Sequence, residues 1–171
     1  MLKLKDYIMN IPNFPKAGIM FRDITPLLQN ENALQFAVNS LCHCCKETDF
    51  DIIISPESRG FIFGVPMAYA MQKSFVPVRK KGKLPRTTIE QTYDLEYGTE
   101  TLEIHSDAIY AGQKVVIVDD LLATGGTIKA IIDMVEKLGG EVTKICCLLE
   151  LSDLNGRKNL KGYDVSTVIV Y

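Results

Sequence analysis

Val115-Val116-Ile117-Val118-Asp119-Asp120-Leu121-Leu122-Ala123-Thr124-Gly125-Gly126-Thr127 is the stretch on which the reading of this chain turns. Its four leading apolar β-branched residues read as a strand. An acidic pair and a glycine turn follow. From Ile128, apolar residues recur at Ile131, Ile132, Val135 and Leu138, one face of a helix that stops at Gly139-Gly140. In an open parallel sheet, ligands bind beyond the carboxyl ends of the strands, where this turn must lie. A helix N-terminus offers unpaired N–H groups and partial positive charge, so Ala123 to Thr127 can wrap a phosphate. Gly125 and Gly126 let the backbone come close, and the hydroxyls of Thr124 and Thr127 add donors. Two carboxylates beside an anion would repel it unless they hold something else, and the hydroxyls of a ribose, with a magnesium ion nearby, give them that role. Neither the G-x-x-x-x-G-K-[ST] nor the G-x-G-x-x-G pattern is present.

Working outward, Asp51 to Ile54, ended by Ser55-Pro56, reads as a second strand, this one buried on both sides. Gly60 to Met71 reads as a helix with Pro66 near its first turn or bending it. Phe75 to Arg79 is a strand that Pro77 places at an edge. Lys80 to Ile104 shows no clean period, and a loop of that length in a compact domain is a functional lid or disordered. Lys144 to Leu149 and Thr167 to Val170 supply two more strands. Near the start, Asn30 caps a helix whose apolar face is Leu34, Ala37, Val38, Leu41 and Cys45. Strands alternating with amphipathic helices predict an α/β fold with a mostly parallel central sheet flanked by helices.

With 171 residues, 47% of them apolar and 23% charged, the chain has the size and balance of one globular domain. A net charge of -2 argues against a surface built to hold nucleic acid, so any anion site is local. No run of about 20 apolar residues and no basic start followed by an apolar stretch is present, which predicts neither membrane insertion nor export. Five cysteines, at Cys42, Cys44, Cys45, Cys146 and Cys147, do not have the spacing of a secreted disulfide framework and suit a reducing cytoplasm. Cys42-His43-Cys44-Cys45 does not read as a zinc site, because neighbours on a helix diverge by about 100°.

The stretch from Val115 to Thr127 resembles the 5-phosphoribosyl-1-pyrophosphate (PRPP) signature of the type I phosphoribosyltransferases, most closely the adenine phosphoribosyltransferases among them. The resemblance implies that Asp119 and Asp120 hold the ribose hydroxyls and that Ala123, Thr124, Gly125, Gly126 and Thr127 hold the 5'-phosphate. Ile11 to Gly18 with Phe21 to Leu28 is similar to the family's N-terminal hood, here residues 1–30. That similarity implies Phe21 for stacking on adenine, Met20 and Arg22 for backbone contacts to its edge, and Leu121 beside the base. Glu57-Ser58-Arg59-Gly60-Phe61 resembles the pyrophosphate loop, implying Ser58 and Arg59 as anion contacts, Arg59 also in a catalytic role. The segment from Arg79 to Arg86 packs five cations into eight residues. In the related enzymes this stretch reaches a neighbouring subunit, which implies a homodimer with Arg79 and Lys83 acting in trans. Tyr93-Asp94-Leu95-Glu96-Tyr97-Gly98 lies in the 80–104 lid and matches the family's flexible catalytic loop, implying Glu96 as general acid/base and Tyr97 as a lid residue.

The implied reaction joins adenine to PRPP, giving AMP and pyrophosphate. Magnesium would be held mainly by PRPP and pyrophosphate oxygens rather than by strong direct protein ligands. Two rivals are a phosphoribosyltransferase for another purine base and a non-catalytic PRPP sensor on nucleic acid. The hood motif opposes the first, and the lack of a recognition helix opposes the second.

Overall fold

The computed structural model describes residues 2–94 and 98–171. Two compact units are present, Met1–Ser40 and Leu41–Tyr171.

In the first unit, β1 (Met9–Pro12) and β2 (Met20–Asp23) pair antiparallel, in register from Met9 opposite Asp23 to Pro12 opposite Met20. The connecting loop is closed by Asn13, at φ 59°, whose Oδ1 accepts from the Gly18 amide at 2.9 Å. The rings of Phe14 and Phe21 meet edge to face with centroids 5.1 Å apart. Asp23 accepts from the Thr25 amide and hydroxyl, at 2.9 and 2.7 Å, at the start of α1 (Thr25–Gln29). Asn30 Oδ1 accepts from the Ala33 amide at 2.9 Å and starts α2 (Glu31–Cys44), the cap that the sequence predicts. On α2 the fully buried positions are Ala33, Ala37 and Leu41, followed by Cys45 just past its end, while Leu34 and Val38 are only half-buried.

The second unit is built on a seven-stranded sheet. Its strands are β3 (Ile52–Pro56), β4 (Ser74–Lys80), β5 (Thr88–Asp94), β6 (Thr99–His105), β7 (Lys114–Leu122), β8 (Glu141–Glu150) and β9 (Val165–Val170), in the order β5-β6-β4-β3-β7-β8-β9. The five strands from β4 to β9 are parallel, and β5 and β6 run antiparallel at one side. Every residue of β3 is buried, the doubly covered strand predicted from Ile52-Ile53-Ile54. Helices α3 (Arg59–Met71) and α4 (Gly126–Lys137) follow β3 and β7. Ile128, Ile131, Ile132 and Val135 of α4 join Ile54, Ile117 and Ile145 in the core. Each such buried side chain contributes roughly 1.5–3 kcal/mol. On α3, a Cβ at Gly64 would collide with Ser55 Oγ and lie 2.9 Å from Phe75, so glycine there lets the helix sit directly on β3 and β4. Among the described residues no helix is long and apolar enough to cross a membrane.

Three sequence expectations change. Strand β4 is not at an edge, since β6 lies on its other side. Its pairing with β6 spans only Arg79 and Lys80, however, so Pro77 lies beyond it and needs no second ladder donor. Pro66 sits well inside α3, which continues to Met71 although Ile62 loses an i+4 amide partner. The described residues within 80–104 are mainly two paired strands rather than an aperiodic loop, with β5 and β6 in register from Thr88 opposite His105 to Asp94 opposite Thr99.

Candidate active site

The carboxyl ends of β3 and β7 open into a cavity of about 420 Å³. Ser58 and Arg59 enter from the β3–α3 junction, Asp119, Asp120 and Leu121 from β7, and Ala123 and Thr127 from the two ends of the glycine turn. One cavity thus gathers residues that the sequence had placed in two separate motifs. Lys80, Tyr93 and Glu100 close its other side.

The acidic pair belongs to the last turn of the pleat rather than to the loop, because β7 runs on to Leu122. Asp119 and Asp120 are only 8% and 5% exposed. Burial, and then the neighbouring Asp120 charge, push the Asp119 carboxyl well above the usual carboxylate range. Burial raises Asp120 as well, against the pull of Arg59, whose Nε lies 2.8 Å from its Oδ2. The Asp120 amide donates to Asp119 Oδ1 at 2.8 Å, which fixes one carboxylate by the other's backbone. Gly60 makes this packing possible, since a Cβ there would come within 2.9 Å of Pro56 and 3.1 Å of Asp119. Arg59 is thereby held against Asp120.

Gly125 stands at the N-cap of α4 with φ 82°, a conformation in which an L side chain is strained. Thr127 donates its hydroxyl to the Tyr93 hydroxyl at 3.1 Å, Tyr93 donates to Glu100 at 3.2 Å, and Glu100 pairs with Lys80 Nζ. Burial raises the Tyr93 hydroxyl above its ordinary pKa. The β5–β6 hairpin thus reaches over the glycine turn. Tyr93, Glu100 and Lys80 carried no assigned role in the sequence reading. The signal available was the two-residue spacing of Leu102 and Ile104, which marks β6 and so brings Glu100 to the same edge.

Glu57 also lines the cavity, while Arg79, Lys83, Met20, Phe21 and Arg22 do not. Glu57 accepts from the Lys80 amide at 2.7 Å and from Arg79 Nη2 at 3.4 Å. Burial pushes Glu57 up, but these donors outweigh it and its carboxyl sits below its usual value. Arg79 also donates to the Lys83 carbonyl at 3.4 Å, and neither Arg79 nor Lys83 lines the cavity. Met20, Phe21 and Arg22 belong to β2 of the first unit. Glu96 and Tyr97 lie outside the described residues.

A phosphoribosyl transferase domain profile matches residues 26–170. The chain is 57% identical to the adenine phosphoribosyltransferase of Lachnoclostridium phytofermentans over 171 residues, all of this chain and 98% of that one. The chain belongs to the phosphoribosyltransferase family, in its adenine-using branch. Among solved structures of the family, adenine phosphoribosyltransferase from Thermoanaerobacter pseudethanolicus superposes with a TM-score of 0.96 at 53% identity, covering 98% of both chains. The Saccharomyces cerevisiae adenine phosphoribosyltransferase, solved with an imino-altritol bisphosphate and adenine, superposes with a TM-score of 0.90 at 40% identity over 96% of both chains. Within this type I phosphoribosyltransferase architecture, the cavity between β3, β7 and the hairpin is the candidate site for transfer.

Proposed function

We propose that the chain serves purine salvage, moving the 5-phosphoribosyl group of PRPP onto adenine to give AMP and pyrophosphate. The observation that carries this reading is the cavity that joins a buried aspartate pair to a helix-capping glycine turn. Purine N9 attacks ribose C1 as the bond to pyrophosphate breaks, and no covalent protein nucleophile is needed. Asp119 and Asp120 accept from the ribose hydroxyls, while the amides from Ala123 to Thr127 grip the 5'-phosphate. Arg59 exchanges its partner Asp120 for the pyrophosphate that enters beside Ser58, and Lys80 adds a cation from the facing side of the cavity. Leu121 lies beside the base, with Met20, Phe21 and Arg22 supplying stacking and edge recognition. Glu96 handles the purine proton under a lid that includes Tyr97, which keeps water away from C1.

Among the described residues no three His, Cys, Asp or Glu side chains gather to hold a metal. The acidic groups at the cavity are Asp119, Asp120, Glu57 and Glu100. That donor set suits a magnesium ion that takes most of its oxygens from PRPP, with Asp119 and Asp120 as the nearest carboxylates. When bound, the ion neutralises charge on the leaving pyrophosphate.

The proposal includes a homodimer in the cytoplasm, in which Arg79 and Lys83 serve the neighbouring site. Val65 and Tyr69, one turn apart on α3 and 47% and 87% exposed, support an apolar contact between copies. Light scattering should give twice the chain mass, and a monomer mass would remove the trans roles. A panel of purine bases with PRPP and Mg²⁺ tests the reaction: AMP should form from adenine, and no nucleotide from adenine would overturn the reading.

A further inference from the structure

Outside the residues already given roles, a short polar segment near the C-terminus lies against the glycine turn. It is the 3-10 turn Gly156–Leu160. Asn159 Nδ2 donates to the Thr124 carbonyl at 2.8 Å. Gly156 faces the preceding peptide. A Cβ on Gly156 would collide with the Ala123 carbonyl oxygen, while the carbonyl carbon of that peptide stays 3.2 Å away, so the oxygen points at Gly156. A Cβ on Gly125 would in turn lie 2.6 Å from the Gly156 carbonyl oxygen.

A trans peptide is planar, with its C=O and N–H pointing in opposite directions. Two successive carbonyls, of Ala123 and Thr124, are turned toward the Gly156–Leu160 segment. The amides of the same two peptides, those of Thr124 and Gly125, are therefore turned away from it, to the inner side of the turn. Successive amides on one side of a turn make a concave anion site.

The segment itself is pinned. Arg157 Nε and Nη2 donate to the two oxygens of Glu150 at 2.8 Å each, and Nη1 donates to the Val165 carbonyl at 2.9 Å. Thr167 also donates to Glu150 at 2.7 Å. Glu150 is 7% exposed and ends β8, so Arg157 is fixed bidentately to the carboxyl end of that inner strand. Leu160, 1% exposed, anchors the other end of the turn in the core.

We infer that Gly156 and Asn159 are positioning residues for PRPP: they hold the Ala123 and Thr124 carbonyls outward and so aim the Thr124 and Gly125 amides at the 5'-phosphate. This rests on the proposed phosphate role of the glycine turn and adds the device that orients it. Neither residue touches substrate. Their effect is selective for the phosphate-bearing substrate, because the adenine contacts lie elsewhere.

The test uses the full chain with Asn159→Ala, Asn159→Asp, Asn159→Gln and Gly156→Ala, and Lys158→Ala as a control in the same turn. Ribose 5-phosphate affinity by calorimetry is read beside KM for PRPP and KM for adenine. Loss of one orienting hydrogen bond in Asn159→Ala should weaken ribose 5-phosphate and raise KM for PRPP about fivefold, with KM for adenine unchanged and Tm lowered by no more than a few degrees. Asn159→Asp, which lacks the donor, should be at least as impaired, and Asn159→Gln should return toward wild type. Gly156→Ala should show the largest rise in KM for PRPP. Wild-type ribose 5-phosphate affinity in both Asn159→Ala and Asn159→Asp overturns the inference, as does an equal rise in both KM values. A wild-type chain that makes no AMP overturns the reaction assigned above, and the calorimetry still decides the positioning role.

Discussion

Replacing Asp120 by Asn separates binding from stability in a way the geometry fixes in advance. The carboxylate is 5% exposed and lies 2.8 Å from Arg59, whose side chain is 39% exposed. Burial raises its pKa in the folded state. The sign follows from linkage: below the unfolded value, near about 3.9, the group carries no penalty, and as pH rises toward the raised folded value, keeping it ionised costs stability. An amide carries no such cost at pH 7. Loss of the ion pair acts in the opposite direction, but half-open pairs contribute only about 0–1 kcal/mol. The two effects oppose each other, and with about 2–4 °C per kcal/mol for a chain of this size Tm should stay within a few degrees of wild type or rise. PRPP loses a charge-assisted hydrogen bond worth roughly 1.5–3 kcal/mol, so kcat/KM for PRPP should fall about 10- to 150-fold. The assay is AMP formation with PRPP varied at saturating adenine, beside a thermal melt of the ligand-free chain. An unchanged kcat/KM, or a loss matched by a Tm drop of ten degrees or so, would refute the reasoning.

Three further outcomes follow from contacts away from that pair. Glu103, 3% exposed, accepts from the Lys83 and Leu84 amides at 2.8 and 2.7 Å, and although burial raises its carboxyl, these amides outweigh it and hold it below its usual value. Glu103→Gln should therefore cost about 1–3 kcal/mol at pH 7, and a Tm series should show the gap to wild type closing as pH falls through the depressed value; a gap independent of pH contradicts this. Tyr93→Phe removes the hydroxyl between Thr127 and Glu100 and should lower kcat/KM for PRPP about 2- to 12-fold, with unchanged kinetics as the contrary result. Gly64→Ala drives a methyl into Ser55 Oγ, and denaturant melts should show a loss of about 1–3 kcal/mol, a neutral variant being the contrary finding.

What the sequence made legible follows the strength of its periodic signals. Ile52-Ile53-Ile54 and Val115 to Val118 are unbroken β-branched runs because β3 and β7 are covered on both faces, and α4 shows its buried stripe because one side of it faces solvent. The turn between β7 and α4 carries its residue types openly, so the proposed phosphate and ribose contacts rest on the glycines and the aspartate pair that the sequence itself displays. The hairpin β5–β6 was opaque for a physical reason: one face of β5 is exposed and the other only half-buried, so a polar Gln91 sits between Ile89 and Tyr93 and the apolar alternation fades. Lys80, Tyr93 and Glu100 went unassigned with it. Pro77 misled because an edge rule applies to the local ladder, not to the whole strand. Gly156 and Asn159 left no signal, since a short polar turn carries no period and its role depends on which carbonyls it meets across the fold.

The most direct test of the central claim is a crystal structure of the chain with AMP. The 5'-phosphate should lie within hydrogen-bond reach of the amides from Thr124 to Thr127, with the ribose hydroxyls on Asp119 and Asp120. AMP bound elsewhere, with that turn and that aspartate pair making no contact to it, would contradict the account.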